Sequence, residues 1–317
     1  MLKMFTKKNT NEDSLKKRYL YKLFTSLGGL GFGLIIQTIV PRGLGPKAYG
    51  DFSFLTNFFN QIAGFMDGGT STCFYTKLSK RPKESGLVSF YLYFAGILSL
   101  LILGFVAVTR ITGTYTNIWP EQDLTFIYLA ACLGIFSWVV QVLNSMVDAY
   151  GLTVQSEIAK ILQRLFGLSL ILSLYIFHQL NLANFFYYNY IILLFVCVAL
   201  ILIMERSGYY LKLGWRLDRE QIKKYFKEFY GYCHPLFVCS ALALVAGIME
   251  RWLLQVFGGS IQQGFYGLSY QIGAICFLFT SAMTPLLMRE FSIAHEKKDL
   301  PQMVHLFQRY IPLLYSI

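Results

Sequence analysis

Ala183-Asn-Phe-Phe-Tyr-Tyr-Asn-Tyr-Ile-Ile-Leu-Leu-Phe-Val-Cys-Val-Ala-Leu-Ile-Leu-Ile-Met204 runs for 22 residues without a charged side chain. About 20 apolar residues in a helix cross the hydrocarbon of a bilayer, where the backbone must satisfy its own hydrogen bonds. The stretch therefore predicts a transmembrane helix. Runs of the same kind occupy Tyr19–Val40, Phe52–Tyr75, Leu87–Thr109, Leu124–Ala149, Ile158–Phe177, Pro235–Phe257 and Phe265–Met288, and a ninth begins near Met303. Composition agrees. Of the 317 residues 55% are apolar and 14% charged, against about 25% charged in soluble domains, and mean hydropathy is +0.49. A soluble enzyme is excluded; the expectation is an all-α, polytopic transmembrane helix bundle of about nine spans.

The net charge of +11 is distributed with a purpose. Basic residues close to span ends are retained on the cytoplasmic side. When loops are counted alternately, 21 Lys and Arg fall in the set that includes the N-terminus, and only Arg42, Lys47 and Arg110 in the opposite set. The N-terminus is predicted to be cytoplasmic. The first span is too long for a signal peptide and lacks a small-residue cleavage site, so it should stay as an anchor. Basic residues spread over five loops make no nucleic-acid module, though they can hold anionic membrane lipid. The longest loop contains Arg216-Leu-Asp-Arg-Glu-Gln-Ile-Lys-Lys-Tyr-Phe-Lys227, which reads as an amphipathic helix along the inner surface. The expected organisation is a basic N-terminus (1–18), a six-span lobe (19–204), a cytoplasmic linker (205–234) and an incomplete second lobe (235–317).

Catalytic and metal signatures are missing from the pattern. The six cysteines sit in or beside apolar runs and read as small core residues, and the four histidines are scattered rather than at zinc spacing. Gly43-Leu-Gly45-Pro-Lys47 lacks the Gly-Lys-Ser/Thr ending of a phosphate loop. No enzymatic activity, catalytic residue, metal or cofactor is expected.

An internal repeat organises the chain. At an offset of 214, Ser26 falls on Ser240, Gly33 on Gly247 and Gln37 on Arg251. After a slightly longer connection, Tyr49-Gly50-Asp51-Phe52-Ser53-Phe54 resembles Tyr266-Gly267-Leu268-Ser269-Tyr270. Six spans separate equivalent points, an even number, so the two units are parallel.

Polar residues inside spans are costly and mark bundle interiors or cavities. Asn60, Gly64, Asp67 and Ser71 share one face of the second span, with Asn57, Gln61 and Gly68 on the adjoining stripe. Ser26, Gly29, Gly33 and Gln37 form a similar face on the first. Two readings stand: close helix packing through the small residues, or a hydrated cavity that also accounts for Asp67. Glu250 and Arg251 lie together in the seventh span, and Arg251 shares a face with Ser240, Gly247 and Gln255. It either lines that cavity or snorkels beside Glu250. For Lys22, Arg164 and Arg309, near inner boundaries, snorkelling is the simpler reading.

Two motifs carry a family resemblance. Pro41-Arg42-Gly43-Leu44-Gly45-Pro46-Lys47-Ala48-Tyr49-Gly50-Asp51-Phe52-Ser53, after a basic N-terminus and a Gly-rich span, resembles the opening of polysaccharide (O-antigen, repeat-unit type) flippases. Glu250-Arg251-Trp-Leu-Leu-Gln-Val-Phe-Gly258, with Gly264-Phe-Tyr266-Gly267 after it, is similar to the start of their second lobe. These belong to the multidrug/oligosaccharidyl-lipid/polysaccharide exporter superfamily. The resemblance implies two six-span lobes, alternating access, and flipping of a polyprenyl-pyrophosphate-linked oligosaccharide across a bacterial cytoplasmic (inner) membrane for cell-surface polysaccharide assembly. It further implies a coupling ion, Na+ or H+, and other polysaccharide-assembly proteins as partners. Arg251, Arg42, Arg164 and Gln37 would bind substrate; Asp67, Glu250, Asn60 and Gln61 would serve coupling or line the cavity. A multidrug or cation exporter of the same fold is the nearest alternative, and a membrane glycosyltransferase or polymerase on the same lipid-linked sugar, with Asp51 as acid, is a more distant one. Because only two spans and part of a third follow Pro235, the intact transporter is expected to add at least three more.

Overall fold

The computed structural model describes residues 15–82, 84–209, 219–274 and 299–315. A chain this apolar has no water for its peptide groups, and among the described residues it answers with helices and no strand. They are α1 (Leu15–Asp67), α2 (Thr70–Lys80), α3 (Ser85–Ile111), α4 (Tyr115–Ile118), α5 (Leu124–Ala149), α6 (Thr153–Ile176), α7 (Leu182–Arg206), α8 (Arg219–Ala274) and α9 (Leu300–Tyr315). Among them, α3, α5, α6, α7 and α8 are long and apolar enough to cross a membrane. The fold is the all-α transmembrane bundle expected from the sequence.

Two compact units divide the chain, residues 1–265 and 266–317. In the first, α5 is central: it packs on α1, α2, α3 and α7, while α6 joins α1 to α7. In the second, Tyr266 and Tyr270 stack one turn apart, with ring centroids 6.3 Å apart. Leu300, Val304 and Phe307 of α9 are exposed at spacings of one helical face.

The two longest helices are broken by glycine. Straight, the 53 residues of α1 would extend about 80 Å, against roughly 30 Å of hydrocarbon. The helix bends at Gly45 (φ 78°, ψ 165°), a conformation that only glycine adopts without strain. Pro46 follows at the start of the new arm, where its missing N–H costs nothing. In α8, Gly259 (φ 70°, ψ −178°) makes the equivalent bend. The expected first and second spans are thus arms of one bent helix. The second span is itself interrupted, since Gly68 and Gly69 both have positive φ and separate α1 from α2.

The predicted surface helix also differs. Arg216 to Asp218 lie outside the described residues, but from Arg219 the segment continues through Pro235 as part of α8. Proline omits one donor without ending the helix here. The expected eighth span is described only as far as Ala274, and Cys276 and the rest of it lie outside.

Two aromatic clusters fill the first unit. Toward the Gly45 bend, fully buried Trp119 sits 5.4 Å from Phe58 and 5.7 Å from Phe59. Toward the Arg81 turn, Phe74 stacks on Tyr91 at 4.2 Å, and Phe229 of α8 lies 5.9 Å from the same ring.

Candidate functional site

Asp67 closes the second arm of α1, immediately before the two glycines that separate it from α2. Its carboxylate accepts from the Ser71 amide (3.1 Å) and hydroxyl (2.8 Å) and from the Thr70 hydroxyl (3.2 Å). It therefore compensates the amide end of α2, where a negative charge is favoured. Tyr91 Oη (3.2 Å) and Trp138 Nε1 (3.1 Å) add donors from α3 and α5. Beside it opens a cavity of about 320 Å³ lined by Asn60, Gly64, Asp67, Ser137, Trp138 and Gln141. Ser137 donates to Asn60 Oδ1 at 3.3 Å. The lining carries one acid and no basic residue. Asp67 thus ties α2, α3 and α5 to the end of α1 and also borders the cavity, whereas a β-carbon on Gly64 would meet nothing within 4 Å, so this stripe is not a close helix contact there.

The first part of α8 runs antiparallel along the second arm of α1 and then along α2. Successive contacts are Gly50 with Ser260, Gln61 with Gly247, Phe65 with Phe237 (5.3 Å), Gly69 with Leu236, Cys73 with Cys233, and Lys77 with Glu228. At the Gly45 end the approach is closest: a β-carbon on Gly50 would collide with the Ser260 carbonyl, and one on Gly264 with the Pro46 carbonyl. These contacts are reciprocal. Pro46 and Ser260, and Gly50 and Gly264, are related by the same offset of 214 as Gly45 and Gly259. The two bends meet as a two-fold-related pair would. The repeat keeps a single register here, so the longer connection expected before Tyr266-Gly267 is corrected: the counterpart of Gly50 is Gly264.

Glutamines and three ionisable side chains surround this crossing. Gln122 Nε2 donates to Asp51 Oδ1 (2.7 Å), and Gln255 Nε2 to Ser260 Oγ (3.0 Å) and the Pro120 carbonyl (3.2 Å). Glu121, held at φ 63°, accepts from the amide (3.4 Å) and hydroxyl (3.3 Å) of Ser260. Arg251 is buried among them, 6% exposed. Its Nη1 donates to Gln263 Oε1 at 3.3 Å, and Gln263 Nε2 returns a bond to the Arg251 carbonyl, so the pair spans the Gly259 bend.

The opposite end of the seam is ionic. Glu228 accepts from Lys77 Nζ (2.8 Å) and Arg81 Nη2 (2.7 Å); Arg81 also pairs with Glu84 (3.1 Å), and Tyr225 donates to Glu84 (2.8 Å). This charged start of α8 precedes the apolar run from Pro235. Partial burial pushes the Glu228 carboxyl up, but the bonds from Lys77 and Arg81 outweigh it and hold the carboxyl below its ordinary value.

The remaining predicted residues are dispersed. Arg164 is half-buried in α6, where its guanidinium donates to the Thr25 carbonyl and lies against Gly29. Arg42 and Glu250 are exposed and Gln37 is half-buried. Gln61 faces α8, where a β-carbon on Gly247 would come within 2.6 Å of its amide. The structure thus brings together Asn60 and Asp67 at the cavity and sets Arg251 at the crossing of the bends. The side chains of Lys22, Ser26 and Arg309 lie outside the described set.

No family model matches the chain, and no curated protein matches it in sequence. Among solved structures it is similar to a multidrug resistance MATE family transporter of the MOP superfamily in an inward-facing conformation, with a TM-score of 0.64 and 15% identity. The similarity covers 89% of this chain and 66% of that one, so the chain spans about two thirds of the transporter's length. It shares that transporter's fold.

Within this fold, reading single helices missed two groups. The donors Tyr91 and Trp138 are far from Asp67 in sequence, and nothing on their own helices marks them. The partners at the crossing, Gln122, Ser260 and Gln263, had one legible signal: glycines at 45, 50, 259 and 264 repeat at the offset that aligns the first and seventh spans.

Proposed function

We propose that these residues belong to a membrane transporter working by alternating access. Residues 19–204 form its first six-span lobe, 205–234 the linker, and 235–317 the opening of the second. The observation that carries this reading is the reciprocal crossing of Gly50 on Ser260 and Gly264 on Pro46, since a pair of related bends gives two lobes a shared contact about which to rock. The N-terminus lies in the cytoplasm and the protein in a bacterial inner membrane, a placement supported by the asymmetry of basic residues.

The substrate we favour is a polyprenyl-pyrophosphate-linked oligosaccharide, on the strength of the motifs around Pro41–Ser53 and Glu250–Gly258. Arg251 is sealed by Gln263 while the bends are crossed. Opening that end would uncover it to pyrophosphate, with Arg42 and Gln37 nearby in sequence to assist and Arg164 bracing α6 on α1. Asp67 serves ion coupling, Na+ or H+, with Asn60 beside it in the cavity, while Gln61 on the α8 contact and Glu250 next to Arg251 would join the polar lining only on opening. A second reading, export of an organic cation, is favoured by the cavity's single acid and lack of basic residues and by the fold shared with a multidrug resistance transporter.

The test uses the complete protein containing these residues, at matched membrane levels. Arg251→Glu should lower lipid-linked oligosaccharide flipping more than tenfold, while Arg251→Lys should keep part of it because the charge persists without the bidentate fork. Wild-type flipping by Arg251→Glu would remove the pyrophosphate role. Efflux of a fluorescent cation abolished by Asp67→Asn would establish the second reading instead.

A further inference from the structure

A second cavity, of about 480 Å³, opens between the end of α3, the first turns of α5 and the middle of α7. That volume falls in the range of ligand pockets, roughly 300–1,000 Å³. Arg110, Thr125, Tyr128, Leu129, Cys132 and Tyr190 line it. Its one charged side chain stands at the helix ends, where Leu124 also lines it. Arg110, next to last in α3, and Thr125, second in α5, stand at the mouth, whereas Leu129 and Cys132 lie one to two turns deeper. Thr125 to Cys132 is about 10 Å of helix, the scale of the upper part of one leaflet.

The surroundings identify the solvent this groove faces. Val108 (57%) and Ile111 (84%) of α3 and Leu194 (55%) of α7 are exposed, on helices apolar enough to span a bilayer. Tyr190 spends its hydroxyl on the Leu129 carbonyl at 2.6 Å, so its ring forms a wall. Two tyrosines beside a cation at a helix end match the composition of a membrane interface. Arg110 is exposed, and the ion pairs among the described residues involve Lys77, Arg81 and Lys160 instead.

We infer that this groove is a binding site for one anionic phospholipid of the surrounding leaflet, its phosphate on Arg110, and an acyl chain against Leu129, Cys132 and the Tyr190 ring. Guanidinium is suited to phosphate because it presents paired donors. The site is separate from the Asp67 cavity and does not depend on what the protein transports.

Native mass spectrometry of the full chain, delipidated and titrated with dioleoyl-phosphatidylglycerol or dioleoyl-phosphatidylcholine, tests it. Wild type should hold one phosphatidylglycerol preferentially, and Arg110→Gln should weaken that binding about fivefold, the effect of removing one basic contact. Arg110→Lys should retain most of it. Cys132→Trp, which fills the groove and leaves the charge, should also weaken binding, and unchanged elution and melting would show that these variants fold. Equal phosphatidylglycerol binding by wild type and Arg110→Gln would overturn the proposal. Displacement of the lipid by millimolar inorganic phosphate would do so too, by making this a site for soluble anions.

Discussion

At the Gly45 end, the seam between α8 and the α1–α2 arm is backbone against backbone, with glycine at both crossings and a buried network of glutamines, Asp51, Glu121 and Arg251 around them. At the Arg81 end the same two elements are held by long charged side chains reaching Glu228. The first contact has no slack: steric repulsion rises over tenths of an ångström, and the buried amides keep their partners only in one arrangement. The second can lengthen, hydrate and re-form, because partly exposed ion pairs contribute little and are screened by salt. One seam therefore has a stiff end, which can part only as one discrete step, and a compliant end; in the proposed cycle that discrete step uncovers Arg251.

The largest expected effect comes from filling the stiff end. Gly50→Ala adds a β-carbon where the Ser260 carbonyl stands, and Gly264→Ala adds one at the Pro46 carbonyl. Alanine would favour the helix by about 0.5–1 kcal/mol, but overpacking typically costs 1–3 kcal/mol, and here the obstructing atoms are backbone. Both variants should lose roughly 1–3 kcal/mol of unfolding free energy in detergent. Because the contacts are reciprocal, the two losses should match. A neutral Gly264→Ala beside a costly Gly50→Ala would break the two-fold relation of the bends.

How much of this was legible in the sequence follows from the range of each interaction. The helical bundle was readable, because 20-residue apolar runs such as Ala183–Met204 permit little else in lipid. The polar stripe through Asn60 and Asp67 was readable too, since helical periodicity places those residues on one face. That Asp67 would compensate α2 was not drawn from the sequence, although Gly68-Gly69 followed by Thr70-Ser71 announces a broken helix and a new amide end. Arg251 was marked as special by its charge, but its partner Gln263 lies across a bend that periodicity takes as straight. Pairings such as Gln122 with Asp51 depend on how helices distant in sequence are brought together, and one chain without its structure carries no local trace of that.

A smaller effect is expected at the compliant end. Glu228→Lys places a third positive charge beside Lys77 and Arg81, and should loosen this end by roughly 0.2–1 kcal/mol, the range of exposed ion pairs. Cys73 and Cys233 meet in the seam one turn away and report on it directly. Their oxidative cross-linking should slow several-fold in Glu228→Lys, and the added Lys77→Glu should restore part of the rate. Raising salt should narrow the difference between wild type and Glu228→Lys. A rate unaffected by either substitution would mean that the aromatic contacts of Tyr91 and Phe229, rather than the ion pairs, hold this end, and the contrast between the two ends would lose its electrostatic half.

The smallest effect is the response to acid, and its sign is fixed by Glu228. The Lys77 and Arg81 bonds lower its folded-state pKa below the ordinary 4.5. A carboxyl with a depressed folded pKa contributes stability that is fully present above the unfolded value and is lost as pH falls through the folded one. From pH 7 down to about 5 the difference in unfolding free energy between wild type and Glu228→Gln should stay constant, and it should shrink only once the pH drops below 4.5 toward the lowered pKa. Glu228→Gln has no proton to gain at this position, so acidified wild type should come to resemble it. The Gly45 end supplies the control, because Gly50 and Gly264 meet backbone there: the unfolding free energy lost in Gly50→Ala should be the same at pH 7 and at pH 4. A parallel acid response at both ends would mean that one cooperative transition moves the whole seam, and the division into a stiff and a compliant end would fail.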